Sequence, residues 1–168
     1  LTAQAARVSE VNALDEAAFV ARFGALFEHS PWVVERAAGL RPFADLHAGL
    51  MQAVHEASAE EQLALIRAHP ELAGRAAIDR TLTQASAAEQ ASAGLDRLTA
   101  EEYARFHALN AAYGERFGFP FIICVRLTDK AGILDAMERR TANDQATEIA
   151  TAIAQIAEIV RLRLEDMP

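Results

Sequence analysis

The apolar residues of this chain recur mostly at three- and four-residue steps, the spacing that gives a helix one apolar face. Phe19, Phe23, Leu26 and Phe27 form the first such stripe, and Asn12 upstream is read as the cap of its helix. Ser30-Pro31 sets a capping hydroxyl before a proline at the first helical position, opening a short helix through Trp32 and Val33 that Gly39 can end. From Phe43 to Glu56, Leu46, Leu50 and Val54 repeat at four-residue steps. Ser58 to Glu61 and Thr99 to Glu102 are capping boxes. The first opens a helix through Leu63 and Ile66 that should stop near His69, because Pro70 disfavours helix at the residue before it. The second carries Phe106, Leu109, Tyr113 and Phe117 along one side and should end at Gly118. Asp129 to Arg140 predicts a shorter helix, and Asn143 is read as the cap of a last one reaching Asp166.

Two stretches break this rhythm. Phe119 to Leu127 has strand character, but no partner strand is evident, so it is read as a buried extended segment or the start of a helix. Thr81 to Ala93 is polar and alanine-rich, and is the candidate for a mobile lid or loop. The pattern therefore predicts an all-α fold: one domain over residues 1–168, a compact bundle of about seven to nine helices without significant sheet.

Composition narrows the function classes. A length of 168 residues suits one domain with a respectable core, and 52% hydrophobic against 24% charged residues is a globular balance. A net charge of -8 without an offsetting basic stripe argues against nucleic acid. It leaves room for an anionic small substrate, since a few buried arginines can reverse the field locally. Cys124 is the only cysteine, so no intramolecular disulfide is possible and a cytoplasmic setting is the simplest reading. No apolar run approaches the ~20 residues of a membrane span. The chain starts Leu1-Thr2-Ala3-Gln4, without the pattern of a signal peptide or an initiator methionine, which points to a trimmed chain or a segment. It ends Glu165-Asp166-Met167-Pro168 rather than on a peroxisomal Ser-Lys-Leu.

Candidate chemistry sits in three segments unlike their surroundings. His69-Pro70-Glu71-Leu72-Ala73-Gly74 puts an imidazole at a helix end. Read structurally, it caps the last carbonyls of its helix; read functionally, it is a general acid/base whose direction Pro70 fixes. Ser86 and Glu89 have the Ser-x-x-Glu spacing of a third capping box, which favours the structural reading, although a helix start also presents N–H groups to a ligand and Gln90 adds an amide. Phe119 to Val125 is core by default; as a ligand wall it offers apolar surface and unpaired backbone groups. Cys124 within it reads as a buried structural thiol, and Arg126 as a surface residue or a carboxylate's partner. Arg163 continues the stripe Ile149, Ile153, Ile156, Val160, aiming a charge at the interior or its rim: a snorkelling cation, or a guanidinium for an anionic substrate. Arg161 falls off the stripe and reads as solvated or interfacial. No close pair of histidines, cysteine cluster or glycine-rich phosphate loop is present, so neither metal nor nucleotide is expected.

Taken in order, Phe27-Glu28-His29-Ser30-Pro31-Trp32, the His69–Gly74 element, Ser86-Ala87-Ala88-Glu89-Gln90, Asn110-Ala111-Ala112-Tyr113, Phe117 through Arg126 and Ile159 through Leu164 give a chain that resembles the 2-oxo-4-hydroxy-4-carboxy-5-ureidoimidazoline (OHCU) decarboxylases over nearly its whole length. The resemblance implies an all-α, cofactor-free, usually homodimeric carboxy-lyase that makes (S)-allantoin in the third step of urate degradation. It implies His69 as the proton donor and Glu89 as a ligand of the ring or ureido nitrogens. It implies Pro70, Ser86, Ala87, Ala88, Glu89 and Gln90, with Phe121, Ile122, Ile123, Cys124 and Val125, as the lining of the substrate pocket. Arg163 joins them on the stripe argument. The terminus without Ser-Lys-Leu favours a bacterial-type cytoplasmic enzyme. The alternative is a non-catalytic helical module that binds a ureide or a partner.

Overall fold

Short polar residues ahead of apolar stripes start most of the helices. A computed structural model describes residues 2–168; Leu1, on which the expectation of a trimmed start rests, lies outside the described residues. Among the described residues there are ten α-helices, two 3-10 turns and no strand. The all-α expectation holds, and the count exceeds seven to nine because three helices have weak sequence signals. They are α1 (Ala3–Ala13), α6 (Arg75–Ile78) and α7 (Gln84–Ser92). The first and last are alanine-rich with little amphipathic pattern, and α6 is a single turn.

The chain contacts fall into two units. One comprises the chain up to Leu65 and Val160–Pro168. It holds α1, α2 (Glu16–Phe23), α3 (Pro31–Ala38), α4 (Leu46–His55), most of α5 (Ala59–Arg67) and the last turns of α10 (Gln145–Asp166). Helices α2 and α4 both pack on α3. Phe19, Phe23, Val33, Val34, Leu50 and Val54 are fully buried here. Asp15 caps α2, its carboxylate accepting from the Ala18 N–H at 2.7 Å. Asn12, read as that cap, lies inside α1 and instead brackets Phe43, donating to its carbonyl at 2.9 Å and accepting from its N–H at 2.8 Å. That bracket fixes Phe43 outside the helix, so α4 begins later than expected, behind an Asp45 cap. The first stripe is also interrupted, because Gly24–Leu26 tightens into a 3-10 turn. Ser30 precedes α3 as expected, but its hydroxyl donates to the Glu28 carbonyl at 3.1 Å rather than capping.

The other unit, Ile66–Ile159, contains α6, α7, α8 (Ala100–Phe117), α9 (Lys130–Arg140) and most of α10. The Thr99/Glu102 capping box forms with both reciprocal bonds, at 3.0 and 3.1 Å. Gly118 ends α8 in the left-handed region at φ 77°, a conformation glycine adopts without penalty. Helix α9 packs on α8, and Phe106, Tyr113, Ile133, Met137 and Ile156 are fully buried. The cap of α10 is Asp144 rather than Asn143: its carboxylate accepts from the Thr147 N–H at 2.7 Å, a bond that holds the Asp144 carboxyl below its usual range. Thr81 to Ala93, the candidate for a mobile lid or loop, is mostly helix α7, because Thr83 supplies a cap one turn before Ser86. No helix among the described residues is long and apolar enough to cross a membrane.

Candidate active site

The segment carrying His69 is a strained turn held by two amide side chains. The His69 N–H donates to the Ile66 carbonyl at 3.1 Å, closing the last turn of α5, and His69 is only 9% exposed. Four residues on, Ala73 takes φ 52°, which costs an L-residue about 1–2 kcal/mol. At Gly74 a side chain has no room, since a Cβ would lie 2.7 Å from Cβ of Glu71. Hydrogen bonds offset that strain. The Ala73 N–H donates to Gln90 Oε1 at 3.0 Å, Gln90 Nε2 donates to the Glu71 carbonyl at 3.4 Å, and Asn110 Nδ2 donates to the Leu72 carbonyl at 2.9 Å. Gln90 and Asn110 are both buried. The amide of Gln90, read as a ligand group, thus already grips the turn that carries His69.

On α7 the capping-box reading of Ser86 and Glu89 is overturned. The Ser86 N–H donates to Thr83 Oγ1 at 3.2 Å, so Thr83 is the cap and Ser86 is a buried residue of the first turn. Ser86, Glu89 and Gln90 share one face at helical spacing; Glu89 is half-buried, and Ala87 and Ala88 are exposed. Ala87, Ala91 and Gln90 line a cavity of about 790 Å³ together with Ala73, Leu95 and Tyr103. His69, Ser86, Glu89 and the Phe121–Val125 run do not line it.

Phe119 to Cys124 is extended without a ladder, as the sequence allowed, and Val125–Leu127 is a 3-10 turn that packs against α7. Phe121, Ile122, Cys124 and Val125 are buried and Ile123 is half-buried. The expectation of unpaired backbone here fails at two positions. The Ile122 carbonyl accepts from Arg140 Nη1 at 2.8 Å, and the Cys124 N–H donates to Gln155 Oε1 at 2.9 Å. Burial, then the Glu89 and Glu158 carboxylates, push the Cys124 thiol up, against a backbone bond at Arg126 that pulls it down. A thiol held protonated is a poor nucleophile, as the sequence reading had it. The same field puts Glu89 within electrostatic reach of this wall. One unit therefore brings together the His69 turn, the Ser86–Gln90 face and the Phe121–Val125 run.

Arg163 belongs to the other unit. It is buried as its stripe predicts; Nη1 donates to the Leu26 carbonyl at 3.2 Å and lies 3.5 Å from the Glu28 carboxylate, itself 2% exposed. Arg126 is exposed, and Arg161 is half-buried and pairs with Glu165 at 3.1 Å. Asn110, Arg140, Glu148 and Gln155 carry no assigned role in the sequence reading. A usable signal existed for two of them. Arg140 continues Ile133 and Met137 at steps of four and three, and Glu148 precedes Ala152 and Ile156 at steps of four. Each is a charge on an apolar stripe, the pattern that singled out Arg163.

The profile of the OHCU decarboxylase family matches residues 12–165. The chain belongs to the OHCU decarboxylase family. It is 46% identical over 162 residues to a 2-oxo-4-hydroxy-4-carboxy-5-ureidoimidazoline decarboxylase of Haloferax volcanii, covering 95% of this chain and 94% of that one. To the mouse (Mus musculus) decarboxylase of the same name it is 36% identical, covering 94% and 90%. Among solved structures, an (S)-allantoin synthase superposes with a TM-score of 0.75 at 27% identity, covering 95% of this chain. The chain spans only about half, 53%, of that protein. The family match runs through residues of both units.

Proposed function

We propose that residues 1–168 act as a cofactor-independent OHCU decarboxylase domain yielding (S)-allantoin in urate degradation. The observation that carries this reading is the convergence of the His69 turn, the Ser86–Gln90 face and the Phe121–Val125 run in one unit of a chain 46% identical to a named OHCU decarboxylase. The substrate bears a carboxylate on a carbon that also carries a hydroxyl. Loss of CO2 leaves an electron pair that the neighbouring ring C=N–C=O system accepts. The protein has three tasks: to hold the carboxylate out of the ring plane, to stabilise the electron-rich intermediate, and to deliver one proton to one face.

In this reading His69 is the acid/base that manages the proton, held by the turn that Gln90 and Asn110 grip. Glu89, with Ser86, accepts from ring or ureido N–H groups. Pro70, Ala87, Ala88 and the wall of Phe121, Ile122, Ile123, Cys124 and Val125 shape the pocket, and Gln90 contributes mainly through the turn. Arg163, beside Glu28 in its own unit, is the candidate cation for an anionic substrate. The enzyme is read as a cytoplasmic homodimer.

The test generates substrate from urate with urate oxidase and hydroxyisourate hydrolase and follows circular dichroism at the allantoin band. Adding this chain should produce the (S) signal faster than spontaneous decay. A protein that binds the ureide yet leaves decay rate and chirality unchanged is the non-catalytic module, and the reading fails.

A further inference from the structure

One pair of buried charges in the Ile66–Ile159 unit is bonded to the proposed substrate wall rather than part of it. The Arg140 and Glu148 side chains are 7% and 0% exposed, and Arg140 Nε donates to Glu148 Oε1 at 2.9 Å. The same carboxylate accepts from the buried Tyr113 hydroxyl at 2.5 Å and, through Oε2, from Asn143 Nδ2 at 2.9 Å. Arg140 also reaches the wall itself. Nη1 donates to the Ile122 carbonyl at 2.8 Å, and the guanidinium lies 4.3 Å from the centre of the Phe121 ring. Tyr113 meets the same ring edge-on at 5.3 Å.

This is a costly way to fill space. Replacing a buried ion pair with apolar side chains of similar volume is often neutral or stabilising, so folding alone gives little reason for one. Here Arg140 even leaves Nη2 buried without a hydrogen-bond partner. What a guanidinium supplies and an apolar side chain does not is direction: a planar fork that fixes a carboxylate, a carbonyl and a ring face at once. The segment it fixes has no sheet or helix of its own between Phe119 and Cys124, so its backbone path depends on such side-chain bonds.

We infer that Arg140 is a positioning residue for the decarboxylation. Anchored by Glu148, it sets the Phe121–Ile122 backbone and with it the wall of Ile123, Cys124 and Val125 against which the ureide substrate is oriented. The inference rests on the decarboxylase reading.

Three forms of the full chain test it: wild type, R140K and the charge-free pair R140M/E148Q. The lysine keeps a cation beside Glu148 but cannot bond the carboxylate and the Ile122 carbonyl together. The double variant removes both charges while leaving an acceptor for Tyr113. Initial rates by circular dichroism, taken well below each melting temperature, give KM and kcat separately. The expected result is a KM raised at least about tenfold in R140M/E148Q and less in R140K, with a lower enantiomeric excess of product. A lower melting temperature with wild-type KM, kcat and enantiomeric excess makes Arg140 merely structural and overturns the inference. If the double variant does not fold, R140K decides alone by the same split. Should the wild type fail to form (S)-allantoin, the decarboxylase reading falls and this inference with it. A wild type that works while both variants keep its KM, kcat and enantiomeric excess removes only the role of Arg140.

Discussion

Among the described residues, each unit has a buried arginine–glutamate pair, and the two differ in what they hold. Arg163–Glu28 is 3.5 Å apart and ties the end of α10 to the carbonyl of Leu26, at the end of a 3-10 turn. Arg140–Glu148 is 2.9 Å apart, recruits Tyr113 and Asn143 to the carboxylate, and reaches the backbone of an extended run without regular structure. The first pair fits a cation fixed in place for use at its own position. The second fits a bracket whose product is the shape of something else. A charge on an apolar stripe marks a buried polar contact; its partners show what that contact holds.

The sharpest way to break this comparison is to remove each acceptor. Glu148→Ala and Glu28→Ala each strand a buried guanidinium, a loss of roughly 3–5 kcal/mol in stability. Urea unfolding should show a loss for each, and the Glu148→Ala loss should exceed that of Tyr113→Phe, because the Glu148 carboxylate serves three donors within one network. A Glu148→Ala loss no larger than that of Tyr113→Phe would show that this carboxylate does not hold a network.

A smaller effect isolates the Tyr113 arm. Tyr113→Phe deletes one hydrogen bond to a buried carboxylate, about 1.5–3 kcal/mol. Burial and the Glu148 carboxylate push the Tyr113 phenol well above its ordinary value of 10.0. The folded state therefore favours the protonated form. Its contribution is fully present below about pH 10 and is lost as pH rises from there through the raised value, at no more than about 1.4 kcal/mol per pH unit. Tyr113→Phe should flatten the alkaline decline of stability seen in the wild type. Identical slopes in the two proteins would show that the buried phenol does not feel its carboxylate.

Legibility in the sequence followed the physics of each signal. Strong amphipathic stripes with caps, as at Thr99–Phe117 and Asp129–Arg140, were readable to within a residue or two because local bonding and burial agree there. Helix α7 reads ambiguously because alanine-rich polar sequence has little periodicity: the stretch suggests a lid or loop, and the Ser86/Glu89 spacing a helix start one turn later than the one Thr83 caps. The site segments were legible as departures from their surroundings. The groups that hold them were not: Gln90 grips Ala73 across 17 residues and Asn110 grips Leu72 across 38, and no local spacing encodes such bonds. Arg140 lay within reach of the argument applied to Arg163, but the adjacent Glu138 and Arg139 make its helix end look like an ordinary solvated turn.

Whether the gripped turn presents His69 to the substrate is tested most directly by the His69→Asn variant. Asparagine keeps a polar side chain of similar reach but cannot exchange a proton near neutral pH. Followed by circular dichroism with freshly generated OHCU, His69→Asn should fold, melt near the wild type, and form (S)-allantoin about 10²–10⁴-fold more slowly than the wild type, down to the limit set by spontaneous decay. A folded His69→Asn protein with wild-type turnover and product chirality would contradict the account.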